Sequence, residues 1–243
     1  FTSLDGQIWT EIGSATVDLD GEAVIGLFVS AHDSSQLSTA TFDHVAVTKS
    51  AAGPAFLPAP WASDDVGAPR LAGSAAHAAG VFTVNGAGDD IWGDADQFHF
   101  VHQTLTGDGE IVARVVAQES GTNGWAKSGV MIKQSTTAGS PYALLAVTPE
   151  HGVTFQHNFT GDAGSAPYAL PDAWLKLARS GDTITGYTSS DGVSWTEIGS
   201  IAVALGTDAE VGLFVSSHNG SQINTSVFDN VTVSSGNDPL AAL

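Results

Sequence analysis

The 243-residue chain has no cysteine, only seven lysine and arginine residues, and no apolar run that approaches the length of a membrane span. Without cysteine it forms no disulfide, no thiolate zinc site and no cysteine nucleophile. The seven basic residues stand against 26 acidic ones, and the formal net charge is −19. Such a chain is repelled by a nucleic-acid backbone and by an anionic membrane surface. We therefore expect no nucleic-acid partner and no membrane insertion, and we predict a secreted, extracellular bacterial protein.

An internal repeat organises the chain. Residues 1–47 align without a gap to residues 187–233, with 26 identical positions. We therefore expect 1–47 to be the C-terminal part of one repeat and 73–234 to be a complete copy. The stretch 48–72 is rich in proline and alanine and is predicted to be a linker, and 235–243 is predicted to begin a linker to a following module. This organisation is typical of a tandem-repeat protein of which the chain is a piece.

The partial repeat at 1–47 cannot bury its own apolar face. Three arrangements would bury this apolar face: pairing with a preceding N-terminal half, packing on the complete domain, or completing a domain of a neighbouring chain. The last is strand complementation, which builds filaments. The plain alternative is that the sequence is a cut piece.

The complete copy has the pattern of an all-β domain. Short runs of Val, Ile, Phe, Tyr and Thr are separated by clusters of Gly, Asp, Asn and Ser, and no stretch has helical spacing of apolar residues. Eleven strands are predicted, near 80–85, 97–105, 110–118, 128–134, 142–148, 152–158, 173–179, 182–189, 194–199, 210–217 and 225–233. This number of short strands predicts a two-sheet antiparallel β-sandwich of the jelly-roll type.

Five stretches, in this order along the chain, carry a family resemblance: GDDIW from Gly88, DQFHFVHQ from Asp96, WLKLAR from Trp174, SDGVSW from Ser190 and FDNV from Phe228. They resemble the concanavalin A-like jelly-roll modules of the DUF1349 type. The resemblance implies a non-catalytic module, often repeated, in large secreted bacterial proteins. The related superfamily includes lectins, laminin-G-like domains, carbohydrate-binding modules and some glycanases.

Sugar binding requires exposed aromatic rings with polar groups beside them. Trp92 and Trp125 are flanked by glycine and polar residues and are the predicted stacking platforms. The alternative for each ring is a lid on the core. Five polar residues at strand positions are predicted to line a groove on a sheet face, with a solvated sheet face as the alternative: His99, Gln103, Arg114, Lys133 and His157.

Calcium is the ion that the sequence favours. Asp89, Asp90, Asp94 and Asp96 place four carboxylates within eight residues of a glycine-rich stretch, and calcium binds six to eight oxygen ligands from such loops. We predict a structural calcium ion there. The alternative is that these residues cap backbone groups in turns.

Catalytic patterns are absent from the sequence. The chain has no Glu-x-Asp-x-Glu strand of the kind that glycanases of this superfamily carry, and no HExxH motif. We therefore predict no catalytic residue and a non-catalytic carbohydrate-binding module, with a polysaccharide or glycan as partner. One alternative is a structural or adhesive repeat, or a filament subunit, that contacts neighbouring copies of itself through residues 1–47. A second is a glycan-active enzyme that depends on Asp96.

Overall fold

The computed structural model describes residues 57–119, 123–167, 170 and 173–236, and among the first 56 residues it describes 2, 26–33, 35–43 and 45. The chain divides into two compact units, Phe1–Thr48 and Lys49–Leu243. Most of the predicted partial repeat, the linker residues 48–56 and residues 237–243 lie outside the described residues. No helix among the described residues is long and apolar enough to cross a membrane.

The described part of the second unit folds into fourteen β-strands without a helix. In chain order they are β1 Ala62–Val66, β2 Ser74–Ala78, β3 Val81–Gly86, β4 Phe98–Thr106, β5 Gly109–Gln118, β6 Lys127–Lys133, β7 Tyr142–Thr148, β8 Gly152–His157, β9 Gly161–Ala166, β10 Ala173–Ser180, β11 Thr183–Ser189, β12 Thr196–Ala202, β13 Asp208–Ser216 and β14 Asn224–Ser235.

The strands form two antiparallel seven-stranded sheets. The first has the order β1-β4-β13-β6-β7-β8-β9, and the second has the order β12-β11-β10-β5-β14-β3-β2. Every strand pair is antiparallel, as in Gly212 of β13 opposite His102 of β4 and Met131 of β6. The predicted all-β sandwich of two sheets is confirmed.

The three strands that sequence patterns miss are all edge strands. β1 and β9 flank the first sheet and β2 flanks the second. Their sequences, ASDDV, SAAHA and GDAGSA, contain one β-branched residue between them, Val66. β1 lies inside the range 48–72 that we predicted to be a linker, and it pairs with β4 from Ala62 to Val66. The sandwich therefore begins by Ala62 rather than at residue 73, because an edge strand buries too little surface to need an apolar pattern.

The main core fills the space between the two sheets. Alternate residues of each strand point into it, such as Val211, Leu213 and Val215 of β13 and Leu175 and Leu177 of β10. The residues of β10 between these, such as Trp174 and Lys176, face outward and are half-buried. The second sheet therefore has one buried face and one that contacts solvent.

The central strands of the first sheet are buried on both faces. A second apolar cluster covers its outer face and contains Phe98, Phe100, Met131, Tyr142 and Phe214. Every residue of β6 and β7 is buried as a result. An outer sheet face this apolar requires a cover, and the segment that covers it builds the candidate site described below.

The described residues of the first unit differ from their repeat equivalents in burial. Phe28 is 87% exposed, whereas the equivalent Phe214 is fully buried. Phe42 is 48% exposed, whereas the equivalent Phe228 is fully buried. The same side chains therefore contribute to a core in one copy and are exposed in the other.

This difference predicts unequal effects of the same substitution. Phe214→Ala should lower the free energy of unfolding of the sandwich by about 3–5 kcal/mol, the usual cost of truncating a buried phenylalanine. Phe28→Ala should change it by less than about 0.5 kcal/mol. Urea denaturation followed by far-ultraviolet circular dichroism measures both. Equal losses would show that Phe28 is as buried as Phe214.

Candidate functional site

The segment 87–97, here called the covering loop, lies across the outer face of the first sheet. Its Ile91 is fully buried in the apolar cluster of that face. The Tyr142 hydroxyl donates a hydrogen bond of 3.0 Å to the Ile91 carbonyl. Burial raises the pKa of Tyr142 above its ordinary value, so the phenol keeps the proton that it donates.

Two ion pairs hold the ends of the covering loop on the sheet. The Lys127 ammonium, almost fully buried on β6, contacts the Asp90 carboxylate. The Lys133 Nζ atom, completely buried at the other end of β6, lies 2.9 Å from Asp96 Oδ2 and 2.8 Å from the Ser140 carbonyl oxygen. Burial lowers the pKa of Lys133, and the hydrogen bond and charge of Asp96 oppose that shift. A buried charge that loses its partner is strongly unfavourable, so each lysine restricts where its aspartate lies.

A pocket of about 350 Å³ opens beside the covering loop, and both predicted stacking residues line it. Its walls are Asp90, Trp92, Trp125, Lys127, Gln156, Asp162 and His218. We call it the Trp pocket. The fold thus brings together two tryptophans that are separated by 33 positions in the chain.

Trp125 is the more exposed ring of the pocket. It is 40% exposed and stacks on His151, with ring centroids 3.7 Å apart and an angle of 16° between the planes. Its backbone N–H donates a hydrogen bond of 2.8 Å to Asn123 Oδ1. His151 therefore positions the ring on one face, Lys127 Nζ lies 5.9 Å from the ring centroid, and two fifths of the side chain remains exposed to a ligand.

Two polar side chains of the pocket have hydrogen-bonding capacity to spare. Gln156 is buried, and among the described residues its Oε1 atom has no hydrogen-bond partner. His218 Nδ1 lies 2.6 Å from the Asp89 carbonyl oxygen, which only accepts, so Nδ1 carries the proton. Burial lowers the pKa of His218 and nearby Lys127 adds to the shift, which outweighs the opposing charges of Asp90 and Asp89. The neutral ring then presents Nε2 as an acceptor.

The predicted groove residues lie elsewhere, and none of the five lines the Trp pocket. His99 is buried and pairs with Asp65 of β1 at 2.8 Å. Arg114 Nε donates to Asp229 Oδ1 at 2.7 Å in the second sheet. Lys133 is occupied by Asp96, as described above.

The other two predicted groove residues, Gln103 and His157, share a side of their strands with core residues. Gln103 lies between Val101 and Leu105 of β4, and His157 follows Phe155 of β8 by two positions. Side chains two apart in a strand point to the same face. They therefore do not project from the outer face that the covering loop crosses.

Sequence reasoning missed Lys127, Gln156, Asp162 and His218 as pocket residues. Lys127 and Gln156 are buried polar residues of β6 and β8. Their position in strands with apolar neighbours is the signal that would have found them, because a buried polar residue needs a partner.

The four predicted calcium ligands have other contacts or stand apart. Asp89 Oδ1 accepts from the Gly220 backbone N–H at 3.0 Å, and Asp90 and Asp96 pair with lysines. Asp94 is exposed. Within the residues that the structure describes, no group of three or more His, Asp or Glu side chains is arranged to hold a metal ion. The calcium ion stays a prediction.

Comparisons with known proteins give fold relatives. No family model and no curated protein matches the chain. Among solved structures, a functionally unknown protein from Saccharomyces cerevisiae is 15% identical with a TM-score of 0.57, and the match covers 71% of this chain and 96% of that one. The carbohydrate-binding module CBM66 from Bacillus subtilis is 18% identical with a TM-score of 0.49, over 72% and 95% of the two chains. Lectin I-B4 from Griffonia simplicifolia is 9% identical with a TM-score of 0.43, over 71% and 93%.

The likeness to the yeast protein bears on the fold alone, which is a two-sheet antiparallel β-sandwich. Membership of the DUF1349 type is not confirmed, since no family model matches. Function therefore has to be argued from the site itself.

The contact of Arg114 with Asp229 predicts an acid-dependent contribution to stability. The hydrogen bond from Arg114 lowers the pKa of Asp229, so the pair stabilises the fold above the unfolded-state pKa of about 4 and loses this effect as the pH falls through the lower folded-state value. We expect Asp229→Asn to lower the free energy of unfolding at pH 7 by about 1 kcal/mol. The difference from the wild type should shrink as urea titrations are repeated below pH 4. A difference that does not change with pH would contradict the ion pair.

Proposed function

We propose that the protein is a non-catalytic extracellular module that binds neutral glycans in the Trp pocket. The observation that carries the proposal is that Trp92 and Trp125 share the wall of one pocket with Gln156, whose buried amide oxygen has no hydrogen-bond partner among the described residues. A sugar ring has an apolar face that stacks on an aromatic ring and a rim of hydroxyls that donate hydrogen bonds. The Trp pocket offers both kinds of contact.

The charge of the pocket favours a neutral sugar over an acidic one. Asp90 and Asp162 are the two carboxylates of the wall, and Lys127 is the one ammonium. Because Asp90 and Lys127 neutralise each other, the carboxylate of Asp162 leaves the pocket with one net negative charge. A uronic acid or a sulfated sugar would be repelled, and it would also have to compete with Asp90 for Lys127.

The carboxylates also favour binding over hydrolysis. A glycosidase uses two carboxyl groups on opposite sides of the scissile bond. Asp90 is held by Lys127 and by the backbone N–H of Ile91, at 2.7 Å. Asp96, on which we expected a glycanase to depend, is buried and paired with Lys133. Asp162 is then the one carboxylate of the pocket without an ion-pair partner among the described residues, which supports a binding role.

Tryptophan truncation tests this function. Trp125→Ala and Trp92→Ala should each weaken glycan binding by about 10–100-fold, because aromatic anchors at the centre of a binding site contribute roughly 1.4–2.8 kcal/mol. Affinity electrophoresis in gels that contain neutral glucans, xylans, galactans or fructans gives the binding constants. Trp195→Ala is the matched control, because Trp195 contacts Lys176 on the second sheet, with Lys176 Nζ 4.7 Å from the ring centroid.

Retention of binding by both pocket variants would contradict the Trp pocket as the site. A wild-type protein that none of the four polysaccharides retards would contradict glycan binding itself. Release of reducing sugars from any of them would show an enzyme instead.

A second candidate function concerns the first unit. Its described apolar side chains are exposed, and the most exposed are Phe28 at 87% and Leu37 at 100%. In the complete copy the equivalents of Phe28 and Phe42 are core residues. We propose that residues 1–47 complete a sandwich in a neighbouring copy, which makes the protein a structural or adhesive repeat.

This second function predicts self-association. Multi-angle light scattering of the full chain at 1–100 µM should show assemblies larger than the monomer. The double variant Phe28→Asp/Phe42→Asp should be a monomer, because charges on that surface cannot be buried. Val193→Asp is the control, since Val193 is also exposed, at 80%, but lies in the second unit. A monomeric wild type over the whole range would contradict this candidate.

A further inference from the structure

A second cavity, of about 450 Å³, opens beside the C-terminal half of the covering loop. Gly93, Asp96, Ala138, Gly139 and Phe159 are among the residues that line it. We call it the Phe159 cavity. Trp92 lines the Trp pocket and the next residue, Gly93, lines the Phe159 cavity. Consecutive Cα atoms lie about 3.8 Å apart, so the two cavities are neighbours across one peptide of the loop.

Asp96 gives the Phe159 cavity an unused acceptor. The side chain is 93% buried, from a relative exposure of 7%. Its Oδ2 atom accepts from Lys133 Nζ at 2.9 Å and from the Gly139 N–H at 2.7 Å. Its Oδ1 atom has no hydrogen-bond partner among the described residues. Because a buried carboxylate oxygen without a donor is costly, a donor that reaches this atom from the cavity would lower that cost.

Phe159 supplies an apolar wall that the backbone holds in an unusual conformation. Its φ is 69°, and that of the preceding Asn158 is 46°, values that few residues other than glycine adopt. Three contacts hold it there: its carbonyl accepts from the Gly93 N–H at 2.8 Å, its N–H donates to the Tyr142 hydroxyl at 3.1 Å, and its ring meets that of Tyr142 edge-on. Strain of this kind persists where a site requires it.

Two glycines of the lining leave open space in the cavity. Gly93 and Gly139 have φ values of 63° and 81°, and a Cβ atom on either would meet nothing within 4 Å. The cavity therefore has open space beside an aromatic ring and a carboxylate oxygen that accepts, which are the two features that a sugar residue uses.

We propose that the Phe159 cavity is a second sugar subsite for the same neutral glycan, in which the sugar ring packs on Phe159 and one hydroxyl donates to Asp96 Oδ1. This inference rests on the proposed function of the Trp pocket. It sharpens the ligand class to a chain of at least two sugar residues that crosses the covering loop at Trp92 and Gly93.

A sugar hydroxyl fits Asp96 better than a metal ion does. The Lys133 ammonium lies 2.9 Å from the other oxygen of the same carboxylate and repels a cation. Among the described residues no three His, Asp or Glu side chains converge there. A neutral donor satisfies Oδ1 without disturbing the ion pair.

The test blocks the Phe159 cavity and leaves the Trp pocket intact. Ala138 is exposed, and its side chain takes part in no hydrogen bond, so Ala138→Trp fills the cavity without touching the core. Thr137→Trp is the matched control, because Thr137 is also exposed but does not line the cavity. The probes are glucan, xylan, galactan and fructan oligosaccharides, each as a series from one to six sugar residues, titrated calorimetrically.

For the wild type and Thr137→Trp we expect the affinity to rise as the chain grows beyond one sugar. For Ala138→Trp we expect monosaccharide binding to be unchanged and binding of the longer members to fall about tenfold, the effect of losing roughly 1.4 kcal/mol of contacts. Trp125→Ala should weaken binding at every length. This combination would support a chain that occupies both cavities.

Three results would overturn the second subsite. The first is an Ala138→Trp variant that binds every length as the wild type does, while Trp125→Ala loses binding; the function of the Trp pocket would then stand. The second is a wild type that binds no oligosaccharide, in which case both proposals fail. The third is calorimetric binding of Ca²⁺ alone that Ala138→Trp abolishes and Thr137→Trp does not, which would assign the cavity to a cation.

Discussion

The buried pair of Lys133 and Asp96 is the constraint on which the rest of the site depends. A lysine that is completely buried in a sheet face loses its hydration, and only a fixed anion offsets that loss. The anion that meets it belongs to the covering loop, so the position of the loop is set by a charge rather than by apolar contact alone. Hydrophobic residues of similar size in place of such a pair often give equal or greater stability. The pair is therefore better explained by the placement of the loop than by the free energy of unfolding.

The same pairs connect the core to the two cavities. Lys127 and Lys133 lie six positions apart on one face of β6, and their partners Asp90 and Asp96 are also six apart, each 37 positions before its lysine. The covering loop is thereby fixed at two points, with Ile91 buried between them. Trp92 and Gly93 lie between these two points, and they line the Trp pocket and the Phe159 cavity, respectively. A shift of the loop along the sheet would break both ion pairs and displace both cavities together.

Sequence patterns predicted eleven strands and missed β1, β2 and β9, which are three of the four edge strands, because an apolar pattern exists only where a strand face is covered. The aspartates of the covering loop were predicted to be calcium ligands because their close spacing is visible in the sequence. Their pairing with Lys127 and Lys133 is not visible there, since only the sheet brings these lysines opposite Asp90 and Asp96. Trp92 and Trp125 were predicted because glycine and polar neighbours mark a ring outside the core. Gln156 was not, because it lies in β8, where burial hides its free amide oxygen.

The partial repeat shows that the local sequence determines the turn, whereas packing determines which side chains are buried. His32 and its equivalent His218 have nearly the same left-handed φ, 55° and 51°, so the turn forms in both copies. The burial nevertheless differs, because Phe28 is 87% exposed whereas Phe214 is fully buried, so the local sequence alone does not set it. Of the seven residues that line the Trp pocket, His218 alone has an equivalent in 1–47, namely His32. Residues 1–47 therefore cannot form this pocket by themselves.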